Sequence, residues 1–129
     1  MTSPQRRNVA KPLTEQQIQR SVFQHLKTRA APGVVAWHTP MGGYRRRTEA
    51  AIFAGLGALK GVSDVIAIRP PTGQICALEL KAEGGKPTIE QLLFIDRVRA
   101  AGGIAGWAIG LDVALHWLEQ NGILIGRAT

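Results

Sequence analysis

Residues 61–81 read GVSDVIAIRPPTGQICALELK, and this stretch decides the fold. Two apolar runs, residues 65–69 and 74–80, flank Pro70-Pro71-Thr72-Gly73, a turn by composition. The two runs are expected to pair as an antiparallel hairpin. With Arg69 facing Gln74, each step back along one strand matches a step forward along the other, so Asp64 falls opposite Glu79. Directly opposed residues share a face, with Cβ atoms roughly 4.5–5.5 Å apart. Two carboxylates about 5 Å apart repel by about 3 kcal/mol at an effective dielectric of about 20. A sheet built only for stability has little reason to place them there. A bound divalent cation turns that repulsion into a site. Lys81 lies two residues beyond Glu79 and shares its face.

The chain of 129 residues is long enough for one core but not two. No apolar run approaches the roughly 18 residues of a membrane span, so no membrane partner is expected. Residues 1–12, MTSPQRRNVAKP, carry two arginines and no apolar segment of the signal-peptide kind. They read as a flexible basic arm ahead of a single domain over residues 13–129. Cys76 is the only cysteine, which rules out an intrachain disulfide and a Cys-rich zinc site. It alternates away from the Glu79 face, as a buried inert thiol does, and it fits a cytoplasmic setting. Sixteen Lys and Arg oppose nine Asp and Glu, a net charge of +7 that favours polyanionic partners.

Outside the hairpin, Thr14 and Gln17 form a capping-box pattern, with Leu13 and Ile18 placed as a hydrophobic staple. Ile18, Val22 and Leu26 then make an apolar stripe running to about residue 30. Residues 34–38 are a candidate for a short strand. Residues 48–59 are alanine-rich and predict a helix that Gly55 and Gly57 weaken. Thr88 caps a further helix, with Gln91 at the capping-box position and Gly102-Gly103 at its end. Residues 104–109 predict a strand and 112–120 a short amphipathic helix. The order α-β-α-β-β-α-β-α implies an α/β fold, a mixed central sheet flanked by helices.

Asp64 followed by Glu79-Leu80-Lys81 across a hairpin resembles the core of the PD-(D/E)XK nucleases. With Glu15 opening the first helix, Gly61-Val62-Ser63-Asp64 leading into the hairpin and Gln91 in a Thr-x-x-Gln helix start, the chain resembles the VRR-NUC domain. The likeness is to the small stand-alone form found in phage and bacterial proteins, and it spans about residues 13–120. Ser63 stands where the general nuclease pattern has proline. The resemblance implies a restriction-endonuclease-like fold and a metal-dependent endonuclease acting on DNA, with no small-molecule cofactor. Mg²⁺, or Mn²⁺ in its place, would take oxygen ligands from Asp64, Glu79 and the Leu80 carbonyl, and Lys81 would orient water or offset phosphate charge.

The resemblance places Glu15 at the metal site, directly or through water. On the helix it shares the core-facing side with Ile18, Gln19 and Val22; by itself it is also a favourable acid in a first turn. Gln91 is placed at the site too, yet the capping box accounts for it on its own, and the two roles compete for one side chain. Tyr44, Arg45, Arg46 and Arg47, behind Gly42-Gly43, suit phosphate gripping and base stacking. Lys60 and Lys86 are further DNA contacts by position, and His38 ends a strand near the site. Trp107 and Trp117 read as core or dimer surface. By resemblance, stand-alone members are homodimers that cut branched DNA such as Holliday junctions. Other readings are a catalytically silent DNA-binding or assembly module on the same fold, a phage restriction-like or packaging nuclease, and a small protein-interaction domain.

Overall fold

The computed structural model describes residues 11–40 and 47–127. Most of the expected arm, Tyr44, Arg45, Arg46 and the side chain of Arg47 lie outside the described residues. Eight elements follow in the expected order: α1 (Glu15–Arg29), β1 (Val35–Trp37), α2 (Arg47–Gly55), β2 (Val65–Arg69), β3 (Gln74–Lys81), α3 (Ile89–Ala100), β4 (Ile104–Ile109) and α4 (Leu111–Gln120).

Local chemistry sets the boundaries. Thr14 caps α1 and Thr88 caps α3, each with a complete capping box to the glutamine three residues on. Leu13, expected as a staple, stays exposed. Helix α2 ends at Gly55, four residues earlier than its alanine content suggests. A turn from Ala54 to Gly57 follows it, and Gly57 has a positive φ of 92°. The hairpin has the expected register, from Arg69↔Gln74 to Val65↔Leu78.

The four strands lie in the order β1-β2-β3-β4. The first three are antiparallel, and β4 runs parallel to β3. A parallel return needs a crossover, and α3 supplies it. Alternation along β3 divides the core. Cys76, Leu78 and Leu80 face α1 and α4, packing with Ile18, Val22, Leu26, Leu115 and Leu118. Ala77 faces the other way, with Ile66, Ala105 and Ile95 of α3. Glu79 and Lys81 continue the Ala77 face. Gly106 has no side chain because the Trp117 ring lies against it; an added Cβ would meet Trp117 Nε1 at 3.0 Å. Trp117 therefore packs on the core, whereas Trp107 is 38% exposed.

The chain end returns to α1. Ala31 donates a backbone hydrogen bond to Ile123 and Ile125 donates one to Arg29, at 2.9 and 2.8 Å. Arg29 also pairs with Glu119 at 2.6 Å.

Candidate active site

Asp64 stands one residue before β2, where continuing the register sets it across from Glu79. Its carboxylate takes over from the ladder: Oδ2 accepts a hydrogen bond from the Leu80 amide at 2.8 Å. The next carbonyl, that of Lys81, accepts from Gly110 on the β4 side. Along a strand the N–H and C=O of one residue leave on the same side and alternate with the next. The Leu80 carbonyl therefore faces the Asp64 side.

Glu79 is buried, only 2% exposed. Its Oε1 accepts a hydrogen bond from Gln91 Nε2 at 2.9 Å and lies 3.7 Å from Lys81 Nζ. Its Oε2 is buried with no hydrogen-bond partner. Burial, then the neighbouring Asp64 charge and a side-chain hydrogen bond with Asp64 that favours the protonated form, push the Glu79 carboxyl up to about 9; Lys81 only partly offsets them, and it is the ionised form whose Oε2 lacks a donor. Lys81 is itself buried and reaches Glu15 Oε1 at 3.3 Å.

Glu15 does not sit in the core-facing row. Its side chain is 52% exposed at the rim, and it meets the lysine. The expected competition for Gln91 does not arise, because the amide has two ends. Its Oε1 accepts from the Thr88 amide at 2.8 Å, which closes the capping box, and this leaves Nε2 for Glu79. His38 approaches the site through the main chain, its Nδ1 lying 2.8 Å from the Asp64 carbonyl. Lys60 and Lys86 are exposed and make no ion pair among the described residues. Ser63, at the position of the pattern's proline, is buried, and its Oγ has no partner.

Gly61 holds the site together in a way that its place in the lead-in does not reveal. Its φ is +77°, and an added Cβ would collide with the Glu90 carbonyl and come within 2.7 Å of the Gln91 amide. The loop before Asp64 and the first turn of α3 touch at backbone range. The only signal in the sequence is a glycine just ahead of a strand.

Among the described residues, no three His, Cys, Asp or Glu side chains gather as a ligand set. The centre has two facing carboxylates, one with a buried oxygen that no donor satisfies, and a main-chain carbonyl. Mg²⁺ characteristically binds through one or two carboxylates, keeps several waters and takes substrate phosphate oxygens as well. The donors present fit such a cation: all are hard oxygens, and a positive charge would answer both the orphaned Oε2 and the Asp64–Glu79 repulsion.

No protein-family model matches the chain, and no curated protein does. A solved structure described as a VRR_NUC domain protein matches it with a TM-score of 0.69 at 24% identity, over 85% of this chain and 88% of that one. The chain thus has the fold of a VRR_NUC domain protein, the fold that its hairpin residues resemble.

Proposed function

We propose that the chain is a divalent-metal-dependent nuclease that hydrolyses phosphodiester bonds in DNA. One observation carries the reading: Asp64 and Glu79 converge on a buried, unsatisfied carboxylate oxygen, with Gln91 and Lys81 beside it. Asp64, Glu79 and the Leu80 carbonyl would hold Mg²⁺ or Mn²⁺, and Glu15 would join through water. When bound, the cation activates water and polarises the scissile phosphate. Gln91 fixes the rotamer of Glu79, so one oxygen stays turned away from its donor. Lys81, held between Glu15 and Glu79, presents an ammonium group where charge grows on the phosphate oxygens. The net charge of +7 supports a DNA substrate.

A domain of this size has little surface for reading a long sequence, which favours recognition of DNA shape. We assign it branched DNA, such as a four-way junction, cut by a homodimer whose two sites take opposite strands. The test is to incubate the protein with junction, flap, linear duplex and single-stranded DNA, in Mg²⁺, Mn²⁺ or EDTA, and to map the products. Cleavage is expected with metal only and best on branched substrates. Asp64→Ala, Glu79→Ala and Lys81→Ala should abolish it while DNA binding survives. Wild-type cleavage by these three variants, or binding without hydrolysis in any metal, overturns the reading.

A further inference from the structure

Two hollows of about 480 and 500 Å³ lie between α1 and β1, and they share Arg20, Phe23 and Ala36. The first extends past Lys27 to Ala30 and Val34, and the second past Gln16 and Gln19 to His38. Together they follow α1 from Gln16 to Ala30, about 20 Å at 1.5 Å per residue. One end opens beside the centre already described, because His38 bonds the Asp64 carbonyl and Gln16 follows Glu15. No acidic side chain lines either hollow among the described residues, and both Arg20 and Lys27 are exposed.

We infer that this groove holds a single-stranded polynucleotide segment leading away from the cut site. The inference rests on the nuclease reading and narrows it: among branched substrates this site would take those with a single-stranded branch, such as a flap, ahead of a fully paired junction. Cations spaced along a groove with an aromatic floor track a nucleic-acid backbone and leave the bases to stack. Arg20 and Lys27 stand seven residues apart, two turns along one face of α1, and both can reach phosphates of one strand. Phe23 lies between them in sequence, is half-buried and lines both hollows. Each hollow has the volume of a small-molecule site, roughly 300–1,000 Å³. That suits individual nucleotides, whereas a duplex would only bridge the rim. The groove has room for up to about six nucleotides at the stacked spacing of about 3.4 Å.

The test is a binding titration in EDTA, where affinity is read whether or not the protein cleaves, so its failure is distinct from failure of the nuclease reading. The probes are a short blunt duplex and the same duplex with a 5′ or 3′ single-stranded tail of about six nucleotides. Wild type is expected to bind one tailed form about fivefold or more tighter than the blunt one, roughly 1 kcal/mol. Arg20→Glu and Lys27→Glu should erase that preference. Arg97→Glu makes the same charge change on α3 and should keep it. In the Arg20→Glu/Lys27→Glu double variant, the salt slope of binding to the tailed form should fall by about 1.4, at about 0.7 per phosphate on a single strand. Thermal melts check that the surface variants fold. Equal affinity of wild type for tailed and blunt DNA, or loss of the preference in Arg97→Glu, overturns the inference.

Discussion

Gln91 is the third residue of α3, where its Oε1 closes the capping box and its Nε2 is left to point at Glu79. The cap and the site can therefore be separated by mutation. Thr88→Ala removes the hydroxyl that accepts from the Gln91 amide and should cost about 1 kcal/mol of stability, yet it leaves Nε2 on Glu79. Gln91→Ala should cost a similar amount and also release Glu79. Partners that orient a metal ligand are worth about 10–100-fold in activity. Cleavage by Gln91→Ala should therefore fall by that factor, while Thr88→Ala stays near wild type; equal rates for the two variants would remove Gln91 from the site. Glu79 itself carries a pH signature. Its folded pKa of about 9 lies above the ordinary 4.5, so between those values the folded protein binds a proton that the unfolded chain does not. In EDTA, stability is fully present below the ordinary value and should drain away as pH rises towards 9. Mg²⁺ should remove most of that slope by compensating the anion, and Glu79→Gln should flatten it. Denaturant midpoints across this range, with and without metal, read both effects; a flat profile in EDTA contradicts the burial of an unsatisfied carboxylate. The facing of Asp64 and Glu79 could be read from sequence because it follows from register and alternation alone. The double use of Gln91 could not, since spacing says nothing about which end of an amide points where.

The elements were legible where their signals are local. Both Thr-capped helices, the hairpin register and the stripe of Ile18, Val22 and Leu26 depend on residues a few positions apart. Contacts across the chain were not legible. The docking of α3 on Gly61 joins segments about thirty residues apart, and no periodicity announces it. That contact gives a sharp test of how elements assemble the site. Gly61→Ala places a Cβ against the Glu90 carbonyl at a residue whose φ is +77°. The left-handed conformation alone costs an L-residue roughly 1–2 kcal/mol, and overpacking adds about 1–3 kcal/mol. If the variant folds, the first turn of α3 must move away from the loop before Asp64 and carry Gln91 off Glu79. The expected result is a loss of about 2 kcal/mol or more in a denaturant melt, with cleavage falling as in Gln91→Ala. Full activity at reduced stability would show that α3 can shift without consequence for Glu79.

At the scale of the molecule, the site depends on where α1 lies, because Glu15 reaches Lys81 from its first turn. Helix α1 is held at its far end by the returning chain. Ala30 bridges Leu124, Arg29 bonds the Ile125 carbonyl and Glu119, and Ile123 and Leu124 are buried in the larger core. The Arg29 guanidinium thus joins α1 to α4 and to the strand-like segment beyond it. Burying two large aliphatic side chains contributes about 1.5–3 kcal/mol each. Domains of this kind are stable by only about 5–15 kcal/mol in all. Ending the chain after Gly122 should therefore take away a large share of its stability and loosen α1. Ending it after Arg127 keeps every one of these contacts and should retain the stability that they supply. Because the Glu15–Lys81 pair lies at the opposite end of α1 from this clamp, loss of the clamp should reach the site only through movement of the whole helix. Hydrogen exchange checks this directly. In the shorter form, amides along all of α1 should lose protection together, while those of β2 and β3 lose less; fraying confined to residues near Arg29 would mean that the packing of Ile18 and Val22 holds the helix without help from the chain end.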